Sequence, residues 1–67
     1  MAAIFEGYIL QANAQYIALT ENGEYAMITW ITDPNLAVMF VHAKDAELFA
    51  KLYHIHAQVI MHSYILR

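Results

Sequence analysis

Cysteine is absent from this chain of 67 residues, there is one proline, and charged residues make up only 13%. Without cysteine there is no disulfide framework and no thiolate metal site, so a reducing, cytoplasmic compartment is expected. Lys44, Lys51 and Arg67 are the only fixed cations, against a formal net charge of −3. Nucleic-acid binding draws on several Lys or Arg contacts to phosphate. Three scattered cations do not supply them, and no direct nucleic-acid binding is expected. The acids, Glu21, Glu24 and Asp33 among them, are too few and too dispersed to imitate DNA. The apolar run LAVMFV, residues 36–41, falls far short of the roughly 18 apolar residues of a membrane span. The opening MAAIFEGYIL carries Glu6 and no early Lys or Arg, unlike a secretory signal. No membrane partner is expected.

What is present is hydrophobic. Apolar residues reach 61%, where typical domains hold about 45–50%. A single domain over residues 1–67 has a high surface-to-volume ratio and cannot hide that much apolar surface. Some must face outward, and exposed apolar patches mark interfaces. Self-association, most simply as a homodimer, is the expected staple for a scaffold this small.

Along the chain, residues 4–11 read as a first strand, with Phe5, Gly7 and Ile9 on one side and Glu6, Tyr8 and Leu10 on the other. Asn13-Ala14-Gln15 reads as a turn without glycine, and residues 16–20 as a second strand. Asn22-Gly23 is the clearest turn signal, since both residues tolerate positive φ. It leads into a third strand over residues 25–32, rich in β-branched and aromatic residues. There Ala26, Ile28 and Trp30 share one face, and Tyr25, Met27, Thr29 and Ile31 the other, with Trp30 assigned to the core.

Asp33-Pro34 ends the sheet and opens one helical or 3₁₀ turn over residues 34–38, because Asp caps well and Pro suits the first helical position. Leu36, Ala37, Val38 and Phe40 are expected to pack inward. A helix follows over residues 43–53. Ala46, Phe49, Ala50 and Tyr53 form its apolar stripe, broadened by Leu48 and Leu52, with His42 where a capping serine would be expected. Residues 56–66 alternate as a last strand: Ala57, Val59, Met61, Ser63 and Ile65 against His56, Gln58, Ile60, His62, Tyr64 and Leu66. The expected fold is α+β, a four-stranded, mainly antiparallel sheet with one main helix on one face, in the order β-β-β-α-β.

From Glu24 to Tyr53 the chain runs from a hairpin through a strand ending near Trp30, then Asp33-Pro34 with Ala37 and Phe40, then a helix with Asp45, Ala46 and Ala50. This order resembles small phage and prophage proteins of the anti-CRISPR and host-inhibitor kind, from which His42 departs at the cap. The resemblance implies a stable mini-domain, of a kind often encoded on a mobile element and often acting by binding a host protein, in the host cytoplasm if a phage encodes it.

Chemistry is thin. His54, His56 and His62 could offer imidazoles to a metal or small ligand in a dimer cleft, which makes an oligomeric ligand-binding module the alternative reading. But no H-E-x-x-H or comparable spacing is present, and no cofactor is expected. Ser63 beside His62 points to the opposite strand face and cannot be activated by it. Asp45 and Glu47 read as solvated acids of a first helical turn. No enzyme is expected. Tyr8, Tyr16, Tyr25, Met27 and Tyr64 are the candidate protein interface, because tyrosine and methionine are enriched at interfaces and strands apolar on both faces exceed what one helix covers.

Overall fold

A computed structural model describes residues 3–22 and 25–66, and for residues 21, 22, 25, 26 and 66 the backbone alone. The first strand, β1 (Ala3–Ala12), turns into β2 (Gln15–Asn22), which is followed by β3 (Tyr25–Ile31), a 3₁₀ turn (Pro34–Leu36), the helix α1 (Ala43–Leu52) and β4 (Gln58–Leu66). All strand pairs are antiparallel, in the spatial order β3-β2-β1-β4. The architecture is the expected α+β sheet and helix, in the order β-β-β-α-β.

The β1–β2 turn is made by Asn13 and Ala14, at φ 52° and 62°. Positive φ at both central residues is the signature of a type I′ hairpin turn, whose twist matches the strands it joins. Alanine is strained in that region and glycine is not. Ala14→Gly should therefore raise the unfolding free energy by about 0.5–1 kcal/mol, read by urea titration; a loss of stability would show that the turn does not hold residue 14 there. The Gly23-Glu24 connection lies outside the described residues.

Asp33 caps the 3₁₀ turn as its chemistry dictates, its side chain accepting from the Asn35 N–H at 3.0 Å, and Pro34 takes the first position. The cap of α1 is His42, which makes no side-chain bond to the helix. At the other end His54 adopts φ 55°. The His54 N–H reaches the Lys51 carbonyl at 3.3 Å and the Ile55 N–H the Ala50 carbonyl at 2.8 Å. That is a Schellman close, with histidine in the place glycine usually fills. His54→Gly should stabilise the helix end by about 0.5–1 kcal/mol, seen as a higher thermal midpoint with unchanged helical circular dichroism; a lower midpoint would count against this geometry.

Neighbouring strands do not stay paired throughout. β1 and β4 hold an unbroken register from Ala3↔Leu66 to Gln11↔Gln58, and β2 and β3 one from Tyr16↔Ile31 to Asn22↔Tyr25. By contrast, β1 and β2 pair only next to their turn, at Gln11↔Tyr16 and Ala12↔Gln15. Beyond it they splay, and the stretch from Val38 to Phe40 enters the gap. Phe40 and Tyr8 exchange both backbone hydrogen bonds at 2.8 Å, and the Val38 N–H donates to the Ile17 carbonyl at 3.1 Å. These bonds satisfy backbone groups that the splay would leave without partners.

The core sits under the helix. Leu10, Ile17, Ala46 and Ala50 are buried together, with Tyr8, Val38, Phe40, Phe49, Ile55, Ala57 and Val59 packed around them. Small Ala46 and Ala50 let the helix approach closely, and Phe49 bridges the Phe40 and Tyr53 rings at centroid distances of 5.3 and 4.8 Å. On the opposite face Ile9 and Ala18 are also buried. The segment leading to Phe40 covers that face locally: Met39 lies over Gly7, and Asn35 Oδ1 accepts from His62 Nε2 at 2.8 Å.

Several sequence expectations are corrected. Leu36 does not pack inward but is 72% exposed, and Leu48, Leu52 and Tyr53 also face outward, so the helix stripe is narrower than the spacing implied. Trp30, assigned to the core, is 41% exposed. The helix rests mainly on β1 and β4, and β3 at the far edge of the sheet receives little cover from it.

Candidate functional site: the β2–β3 arm

Strand pairing fixes which side chains share a face, because directly opposed residues project the same way. Ile17↔Trp30 and Leu19↔Ile28 therefore place Leu19, Ile28 and Trp30 on the helix side of the sheet. All three are exposed. On the other side the pairs Tyr16↔Ile31 and Thr20↔Met27 set Tyr16, Met27 and Ile31 together, with Met27 53% exposed and the Thr20 hydroxyl donating to the Met27 carbonyl at 3.4 Å. The β2–β3 arm thus presents apolar groups on both faces. Charge is absent from residues 25–31, and Glu21 is the one charged residue of β2.

The residues expected at an interface divide accordingly. Tyr16 and Met27 lie on the arm, on the face away from the helix. Tyr25 opens β3, but its side chain is outside the described residues. Tyr8 does not join them: it faces the helix and packs against the core. Tyr64 shares the face of Tyr16 but lies on β4, stacked on Phe5 at 5.3 Å and next to His62 at 6.1 Å. The patch formed by Leu19, Ile28 and Trp30 escaped sequence reasoning because large apolar strand residues read as core. Only the placement of the helix over β1 and β4 exposes it.

The histidines are dispersed within one chain. His54 closes the helix and lines a hollow with Leu48, Lys51 and Leu52. His56 lines another with Ala12, Asn13, Gln15 and Trp30. His62 is on β4, bonded to Asn35. Among the described residues no group of three His, Asp or Glu side chains is placed to hold a metal ion, and no helix is long and apolar enough to cross a membrane. The chain matches no protein-family model, no curated protein and no solved structure.

Proposed function

We propose that the chain is a small, non-enzymatic protein-binding domain whose recognition element is the β2–β3 arm. The observation that carries this reading is the exposure of Leu19, Met27, Ile28 and Trp30 on one hairpin whose third strand carries no charge. Apolar clusters of this kind on a small domain are covered by a partner in use, and tryptophan with methionine is the composition of interface centres. The likeness of residues 24–53 to phage host-inhibitor proteins makes a bacterial host protein the first partner class to try.

The test is affinity capture from cells of the source or its host, with wild-type bait beside Trp30→Ala and Ile28→Lys baits. Both positions are exposed, so both variants should fold. Wild type should retain one stoichiometric, salt-resistant partner. Removing a central aromatic anchor typically costs about 2 kcal/mol or more, so the purified partner should bind Trp30→Ala about 30-fold more weakly. Equal binding by wild type and both variants would move the interface off the arm.

A further inference from the structure

The second edge of the sheet is β4, and the pairing of β1 fixes its hydrogen-bonding directions. Tyr8 spends both its N–H and its C=O on Phe40, so its backbone groups point away from β4. Backbone direction alternates along a strand. Phe5, Gly7, Ile9 and Gln11 therefore bond β4, through Tyr64, His62, Ile60 and Gln58. Val59, Met61, Ser63 and Ile65 are left with their N–H and C=O groups directed outward along the free edge.

Natural edges are guarded by lysine, proline, bulges or inward charges. This one has none of them. Between Lys51 and Arg67 the sequence has no Lys, Arg, Asp, Glu or Pro, and the register with β1 runs without a bulge. Met61 and Ile65, 66% and 54% exposed, flank the outward groups. The other edge, β3, is bounded by Glu24 and Asp33, which two copies meeting there would bring together.

We propose that β4 is the docking edge for a second copy of this chain, antiparallel about a two-fold axis through His62. This goes beyond the arm reading: it assigns a second surface, at the opposite edge of the sheet, with its partner and register. Residue 62 is the midpoint of Gln58–Leu66, so pairing centred there uses the whole strand. Val59 meets the partner's Ile65, Met61 the partner's Ser63, and Ile60 the partner's Tyr64. Each outward residue then meets another outward residue, which is the condition for closing hydrogen-bonded pairs. A centre at Met61 would run Ile65 past the strand and leave its outward groups facing the partner's Ala57. Val59 opposes Ile65 and Ile60 opposes Tyr64, apolar against apolar, Met61 meets the small Ser63, and no Lys, Arg, Asp or Glu is placed opposite another. The two edges become one continuous sheet with an isologous, self-closing contact.

The test uses the full chain in sedimentation equilibrium, with wild type beside Met61→Lys and Ser63→Pro. The Ser63 N–H points outward, where proline is tolerated on an edge. Wild type should be a dimer at micromolar concentration. Each variant should weaken dimerisation about tenfold or more while keeping native circular dichroism. Should Ser63→Pro fail to fold, Met61→Lys alone decides, since Met61 is already exposed. With no native cysteine, His62→Cys gives a single reporter: mild oxidation should link the two copies across the axis, faster than Ser63→Cys. A monomeric wild type, variants that dimerise as wild type does, or faster linkage through Ser63→Cys would overturn the proposal. Monomeric behaviour would leave the arm reading intact, because Met61→Lys leaves β2 and β3 unaltered and can be used as bait for the host partner.

Discussion

Gly7→Ala should lower the unfolding free energy by about 2–3 kcal/mol, at the upper end of the usual cost of overpacking. A Cβ on Gly7 would overlap Met39 Cγ and stand 2.8 Å from the Phe40 carbonyl oxygen. The methionine can move, but the carbonyl cannot. Its oxygen is held by the Tyr8 N–H at 2.8 Å, within the pair of bonds that stitches Phe40 to β1. Alanine at position 7 therefore pushes the inserted segment out of the gap between β1 and β2. A chain of this length has about 3–10 kcal/mol in all, so a substantial share of it is at stake. Thermal unfolding should shift down by roughly 10–20 °C. Adding Met39→Ala should recover part of the loss, making the double variant more stable than the sum of the singles predicts. An unshifted midpoint for Gly7→Ala would mean that the segment does not seat against β1.

Leu10→Ala should cost about 3 kcal/mol, within the range for large-to-small changes in cores. Leu10 is fully buried with Ile17, Ala46 and Ala50, where the helix, β1 and β2 meet. Its buried neighbours Ala46 and Ala50 are small and fixed on the helix, and the larger groups packed around them are anchored in their own strands and helix, so the space is only partly refilled. Urea unfolding should show a lower midpoint with an unchanged slope, because the surface exposed on unfolding is nearly the same. Leu48→Ala on the outer helix face, where Leu48 is exposed, should cost a small fraction of that. Similar losses at both positions would contradict the placement of the core.

Local chemistry was readable in the sequence where it is decided by neighbours. The face alternation of β1, β3 and β4, the Asp33 cap and the element order follow from period-two patterning and capping rules. What was not readable depends on distant packing. Nothing in the spacing of Val38, Met39 and Phe40 says that β1 and β2 part to admit them. Gly7 could be read only as an interruption, although an isolated strand glycine often marks a close backbone approach. Trp30 and Leu36 look like core residues by type, and whether they are buried depends on where a helix of ten residues comes to rest. The same missing information put Tyr8 among the interface candidates rather than under the helix. At the helix end, His54 gave no sign of its left-handed backbone, because histidine carries no preference strong enough to announce it.

The ladder between β1 and β4 has a kinetic consequence. It joins Ala3 to Leu66, so its pairs form only after nearly the whole described chain has been brought round. The entropic cost of closing such a loop is met before the ladder repays it, and chains dominated by distant pairings fold slowly. The β1–β2 turn and the β2–β3 hairpin are local and can form early. Until β4 arrives, β1 waits with one side open and, Glu6 apart, uncharged residues along it. Crowded refolding should therefore lose material to aggregation while dilute refolding does not.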